Sequence, residues 1–345
     1  TLTGESAAAV DAFRASSRLE TTREKKAIEY SNALFAANYL PTEQRSSYAN
    51  LARGYAALYA DVTPLASRAD AMRGRDRIRI GYISPDLRTH PVGTLIRPLL
   101  ALHDRTRFTV CCYANCMEDT LSHGLRASAD AWRNIQGMPA EEVAARVRAD
   151  EIDILVDLAG HTQNNCLPVL AHKPAPVQVT GIGYFNTTGL PAIDYMLSDV
   201  HVDPIGTTEP SFTEKMIRLP HSHFCYVLPE ELPPIAPPPM EQSGFVTFGS
   251  FNNFNKVTDE VLRLWKEVLD AVPRSRLLVK SKLFASAEGR ERAAKRFTRC
   301  GISTERVEMR AFSRDHLAEY GDMDIALDTF PYTGGITTCE ALAMG

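Results

Sequence analysis

Several things are missing from this chain, and each absence removes a class of function. No apolar run approaches the roughly 20 residues of a membrane-spanning helix, and the first residues do not form a signal peptide, so no membrane partner is expected. Positive charge is not in excess: 38 Lys and Arg stand against 42 Asp and Glu, a net charge of -4, which leaves no basic field to gather nucleic acid. Cysteine is sparse and odd in number, seven in all. Cys111, Cys112 and Cys116 cluster, but no C-x-x-C pair of a zinc site occurs, and Cys111–Cys112 lies in an apolar, strand-like run. The expectation is buried, reduced thiols in a cytosolic protein. G-x-S-x-G, the P-loop and G-x-G-x-x-G are absent as well. What remains is an ordinary globular composition, 44% hydrophobic and 23% charged, over 345 residues. That length supports a large core and two or more domains.

Leu327 to Gly345, LDTFPYTGGITTCEALAMG, reads as a strand end, a glycine turn at Gly334 and Gly335, and a helix opening at Thr337–Thr338. A helix N-terminus carries unpaired N–H groups and partial positive charge, and glycines let a ligand approach the backbone. The same letters, Thr337-x-x-Glu340, also spell a capping box on a helix that binds nothing. Both readings fit.

Ala7 to Tyr59 has helical periodicity, broken at Pro41, with a new helix expected after Thr42 and Glu43 in its first turn. From Arg77 the texture changes. Strands are expected at Arg77–Ser84, Phe108–Ala114, Ile152–Leu158 and Val177–Ile182, with helices near Thr94–His103 and after Pro139. Strands alternating with helices imply a doubly wound parallel sheet. Pro229 to Pro239 holds six prolines and reads as a stiff connection. The alternation then restarts: strands at Phe245–Ser250, Arg276–Lys280, Val307–Arg310 and Ile325–Leu327. Thr258 should cap a helix that buries Val261, Leu264, Trp265, Val268 and Val272. The expected domains are a helical segment (1–72), a first lobe (73–228), the proline connection (229–243) and a second lobe (244–345). A chain that begins at Thr1 and stops inside a helix is expected to be a fragment.

Ligands of open parallel sheets bind beyond the carboxyl ends of strands. His90, His161–Thr162, Asn252–Lys256 and Thr337–Thr338 all fall at such ends. Lys256 could hold a diphosphate as a point charge, or be a solvated surface lysine. His90 could serve as a base, or be structural. Asp322-Met323-Asp324 has the form of a metal–nucleotide D-x-D without a visible partner cluster, and His221-Ser222-His223 lacks a third ligand.

Taken together, IGYISPDLRTHPVG, ILVDLAGHTQNN, KPAPVQVTGIGYFNTTGLPAIDY, GFVTFGSFNNFNKVT, VPRSRLLVKSK and LDTFPYTGGITTCEALAMG resemble the nucleocytoplasmic protein O-glycosyltransferases, O-GlcNAc transferase and SPINDLY. They run in family order from Arg77 to Gly345. GHTQNN, FNTTGLP and DTFPY are similar to the SPINDLY branch and its bacterial relatives. The resemblance implies an α/β protein of two Rossmann-like lobes, the GT-B arrangement, with the second lobe truncated and a short TPR-like α-helical segment in front. It implies inverting, metal-free transfer of GlcNAc from UDP-GlcNAc to Ser or Thr of proteins, with acceptors bound through the helical repeats. It also implies a cytoplasmic protein, nucleocytoplasmic if eukaryotic. By the same resemblance Lys256 faces the donor diphosphate, and Asn253 stands where a family glutamine meets the phosphates. Thr337 and Thr338 bind phosphate, Glu340 meets the ribose, His316 flanks the base, Thr162 and Tyr184 line the sugar side, and His90 matches a histidine once proposed as the base.

Two departures bear on the donor. Ile336 stands where many GlcNAc transferases have histidine, in a turn one residue longer that SPINDLY-like proteins share, and plant SPINDLY uses GDP-fucose. Phe185 replaces a family proline beside the sugar pocket. GDP-fucose is therefore the alternative donor. The rival classes are a helical-repeat binding protein with an inactive catalytic fragment, and another GT-B enzyme such as a nucleotide-sugar epimerase.

Overall fold

The computed structural model describes residues 6–40, 48–65, 75–229, 231–313 and 315–345. The chain divides into two packed units. One comprises Val10–Phe35 and Ser46–Val227, the other Thr1–Ala9, Ala36–Arg45 and Leu228–Gly345.

Three helices come first: α1 (Ser6–Leu19), α2 (Arg23–Ala37) and α3 (Tyr48–Ala56). The helix start expected after Thr42 lies outside the described residues. The first sheet contains β1 (Ile78–Ser84), β2 (Phe108–Ala114), β3 (Ala131–Asn134), β4 (Ile154–Asp157), β5 (Val177–Thr180), β6 (Tyr195–Asp199) and β7 (Lys215–Leu219). Its helices are α4 (Pro91–Leu102), α5 (Thr120–Ala127), α6 (Ala140–Ala149) and α7 (Leu167–Ala171). The strands run parallel in the order β3-β2-β1-β4-β5-β6-β7. In the middle, Ile80 of β1 lies between Val110 and Ile154. Inner strands of such a sheet are covered on both faces, which is why β1 and β2 read as apolar runs. The order reverses between β1 and β4, so the loops leaving these neighbours part and open a crevice.

The second unit repeats the design on four strands. After a short helix, α8 (Met240–Ser243), come β8 (Thr247–Ser250), α9 (Asp259–Ala271), β9 (Arg276–Lys280), α10 (Ala287–Arg299), β10 (Val307–Arg310), β11 (Ile325–Ala326) and α11 (Ile336–Ala343). The strand order is β10-β9-β8-β11, again parallel, with its reversal between β8 and β11. Phe248, Leu277 and Val279 pack against Trp265, Leu269 and Phe297 in this unit's core.

Several expectations need correction. β3, β6 and β7 were not legible, nor was the break between α1 and α2. In α9 the buried face is Val261, Leu262, Trp265 and Leu269, while Leu264 is 43% exposed and Val272 is the C-cap. Thr258 does cap this helix, its hydroxyl accepting from Val261 N–H at 3.2 Å. A 3-10 turn at Ala318–Asp322 leads into β11. His90 is not a loop residue ahead of a later helix but the N-cap of α4. All seven cysteines are free thiols, and five are buried; Cys225 and Cys339 are half-buried.

Candidate active site

In the second unit, two loops leave the reversal point side by side. The loop after β8 carries Asn252, Asn253 and Lys256. The loop after β11 carries Asp328 and leads through Gly334 into α11. Asp328 joins them. Its Oδ1 accepts from Thr329 N–H (2.7 Å), Gly334 N–H (2.7 Å) and Asn252 Nδ2 (3.0 Å), and its Oδ2 from Thr338 Oγ1 (3.2 Å). Asn252 in turn accepts from Thr337 Oγ1 at 2.9 Å. A Cβ on Gly334 would sit 2.1 Å from Thr338 Oγ1 and 3.0 Å from Asp328 Oδ1. Only a glycine lets the turn come this close.

The capping box expected at Thr337-x-x-Glu340 is not formed. The N-cap of α11 is Gly335, and no side chain caps it. Thr337 and Thr338 lie inside the first turn, with their hydroxyls turned to Asn252 and Asp328. Glu340 faces another way: its Oε1 lies 3.0 Å from His316 Nε2 and its Oε2 accepts from Tyr320 OH at 3.0 Å. The ring of His316 stacks on Phe312. The first turn thus keeps its own N–H groups clear of side-chain caps, the condition under which a helix mouth attracts an anion.

Lys256 closes a 3-10 turn, Phe254–Lys256, for which Asn253 is the N-cap. The Asn253 side chain accepts from Asn255 N–H at 3.1 Å. Lys256 is half-buried rather than a free surface lysine. Its Nζ donates to Thr333 O at 2.8 Å and lies 4.2 Å from the centroid of the Tyr332 ring. Burial lowers its pKa to about 8, and the carboxylate of Asp328 works in the opposite direction. Near neutral pH the group is thus mostly an ammonium, held at little hydration cost to a new partner. A cleft of about 580 Å³ opens between the ends of β8 and β11 and α11, and Asn252, Asp328, Thr337 and Thr338 form part of its wall.

The other three predicted residues belong to the first unit. His90 Nδ1 accepts from Val92 N–H at 3.3 Å and stands 3.6 Å from Asp86 Oδ2. Burial raises the pKa of Asp86, against the opposing pull of His90 and Arg88. Thr162 follows β4; its Oγ1 is buried and has no hydrogen-bond partner. Tyr184 is 2% exposed, its hydroxyl paired with that of Tyr48. Beside them His161 is fully enclosed between Ser31 Oγ (3.0 Å) and Thr188 O (2.8 Å), with Tyr55 and Tyr184 edge-on. Burial drops its pKa to about 4. The ring is therefore neutral, donating from Nε2 to Thr188 and accepting at Nδ1 from Ser31.

The structure thus gathers Lys256, Thr337 and Thr338 about Asp328, with Asn253 capping the turn that carries Lys256 and Glu340 of α11 paired with His316. Asp328 was not singled out as a site residue. Its signal was an acid directly after a strand, six residues before a glycine turn. The D-x-D residues are structural: Asp322 pairs with Arg310, and Asp324 accepts from Met240 N–H (2.9 Å) and Thr247 N–H (2.8 Å). His223 is likewise committed, its Nδ1 2.5 Å from Asp199 Oδ2.

Residues 57–228 match Glycosyl transferase family 41. The chain is 41% identical over 323 residues to the Arabidopsis thaliana protein named probable UDP-N-acetylglucosamine–peptide N-acetylglucosaminyltransferase SPINDLY, covering 91% of this chain and 35% of that protein. A second Arabidopsis thaliana relative, with the same enzyme name and designated SEC, is 29% identical over 77% of this chain and 28% of its own length. The chain thus spans about a third of the length of these curated relatives. Among solved structures, a lysine-to-methionine mutant of the Thermobaculum terrenum O-GlcNAc transferase superposes with a TM-score of 0.90 at 36% identity, over 99% of this chain and 65% of that one.

Proposed function

We propose that this protein, which belongs to glycosyl transferase family 41, catalyses transfer of GlcNAc from UDP-GlcNAc to Ser or Thr hydroxyls of proteins. Its pair of Rossmann-like sheets is the fold class of the GT-B glycosyltransferases. The observation that carries the reading is the convergence of Lys256, Thr337 and Thr338 on one loop junction built by Asp328. Displacing a sugar from a diphosphate develops negative charge on the leaving oxygen. An ammonium group and a helix mouth aimed at that charge lower the barrier without reorganising in the act.

In this scheme Lys256 meets the diphosphate, Thr337 and Thr338 hold phosphate at the start of α11, and Asn253 contributes from the facing turn. His316 and Glu340 serve the nucleoside, base and ribose respectively. In the first unit Thr162 offers an unsatisfied hydroxyl to the sugar side, and Tyr184 lines the same side. His90 Nδ1 accepts a hydrogen bond from Val92 N–H, an arrangement that places the proton of a neutral ring at Nε2. That geometry supports a donor to substrate better than a base. No metal is assigned to the site, and acceptor proteins bound through the helical segment remain part of the proposal.

The test is transfer and donor hydrolysis by the full-length gene product with UDP-GlcNAc and with GDP-fucose. Turnover of UDP-GlcNAc that is lost in Lys256→Ala supports the reading. Turnover of GDP-fucose alone moves the donor assignment. Undiminished turnover in Lys256→Ala removes the role given to the lysine.

A further inference from the structure

Lys256 does not reach Thr333 unaided. Four rotatable bonds separate its ammonium from the backbone, and such a side chain wanders unless something fixes it. Here an aromatic stack does so. The Tyr332 ring lies under the Lys256 ammonium at 4.2 Å, and the Tyr39 ring backs Tyr332 at 5.5 Å with the planes 29° apart. Tyr39 is 4% exposed, in the turn that follows α2, and belongs to the same unit as Lys256. The Tyr332 backbone is pinned as well, its carbonyl accepting from Thr329 Oγ1 at 2.7 Å. Thr329 is itself buried.

We propose that Tyr332 is a positioning residue for Lys256, held in place by Tyr39, so that the turn after α2 fixes where the ammonium group stands. The proposal rests on the role given to Lys256 above and adds to it. A ring face attracts a cation without accepting its protons, so the N–H groups stay available to an incoming diphosphate. A carboxylate in the same place would hold the lysine more tightly and compete with that ligand. The stack also dries the site. Burial lowers the Lys256 pKa to about 8, and burial pushes the Tyr332 hydroxyl up to about 12. Asp328 is the charged group that acts on Lys256 in the other direction, and it stays in place in every variant below.

The experiment uses the full-length protein with Tyr332→Ala, Tyr332→Phe and Tyr39→Ala. Lysine acylation is followed by mass spectrometry across pH, and the rate at Lys256 gives its titration midpoint without any sugar donor. The midpoint is expected near 8 in the parent and in Tyr332→Phe. In Tyr332→Ala water reaches the amine and the midpoint climbs toward the ordinary lysine value of about 10.4. Tyr39→Ala gives a smaller rise, and it carries the test if Tyr332→Ala does not fold. In turnover, Tyr332→Ala should lose about tenfold in kcat with donor KM little changed, and Tyr332→Phe should restore most of it. A midpoint fixed at the parental value in the variants that fold overturns the proposal, as does a Tyr332→Phe protein that behaves like Tyr332→Ala. If neither nucleotide sugar is turned over by the parent, the transferase reading falls, and the labelling still decides the role of Tyr332.

Discussion

The two sheets have matching reversal points, one between β1 and β4 and one between β8 and β11, and the chain treats them in opposite ways. At the first, the preceding helices fill the space behind the loops. Ser31 and Tyr55 enclose His161, Tyr48 meets Tyr184, and a Cβ on Gly189 would lie 2.0 Å from Ala52 O. At the second, polar groups of two loops face one another about Asp328, with a lysine whose N–H groups are only partly spent. One junction is closed by packing and the other is held by hydrogen bonds. A packed junction fixes the position of what lies over it. A polar junction can exchange its own bonds for those of an anion.

Substitutions should separate the two. Lys256→Ala is expected to have the largest effect, a loss of about 3 kcal/mol of transition-state stabilisation, on the order of a hundredfold in kcat, measured in transfer assays with nucleotide binding largely kept. Asp328→Ala leaves the Gly334 and Thr329 N–H groups and Asn252 without their acceptor. It should cost about 2 kcal/mol in unfolding free energy and weaken UDP binding, read by denaturant titration and calorimetry. At the packed junction the readout is stability against pH. His161 has a folded pKa near 4, below its unfolded value of about 6.5, so its contribution is complete above 6.5 and is lost as pH falls toward 4. Relative to His161→Gln, the parent should lose on the order of 2–3 kcal/mol across that window. Asp157, held up near pH 6 by burial, acts oppositely in the parent and in the variant alike, so the comparison cancels it. Tyr184→Phe should have the smallest effect, about 1 kcal/mol in stability for one lost hydrogen bond. A change in donor KM in Tyr184→Phe larger than its change in stability would break the contrast.

The alkaline limb of activity sharpens the same contrast. The Lys256 ammonium is present below pH 8 and is lost above it, so kcat/KM should decline through about pH 8. Lys256→Arg, which cannot deprotonate there, should flatten that decline whatever its own rate.

The inner strands β1, β2, β8 and β9 were legible because strands covered on both faces must be apolar. β7 was not. It is an edge strand whose Ile217 and Leu219 remain more than a third exposed, so its pattern resembles a loop's. The positions of Lys256, Thr337 and Thr338 at strand ends were also legible. Their wiring was not. Thr337-x-x-Glu340 is a local pattern with a local meaning, but Asn252 and Asp328 claim the threonine hydroxyls from other loops, and Tyr320 and His316 claim the glutamate. Partners that distant in sequence leave no spacing to read. His161 illustrates the same limit: Ser31, 130 residues earlier, supplies its bond.

The central claim is that a nucleoside diphosphate sits at the junction built by Asp328. Crystals of the full-length protein soaked with UDP, and separately with GDP, test it most directly. The account predicts diphosphate density within hydrogen-bond reach of Lys256 Nζ and of the first turn of α11 at Thr337 and Thr338, with the base beside His316. Clear nucleotide density elsewhere, with Lys256 still resting on Thr333, would contradict it.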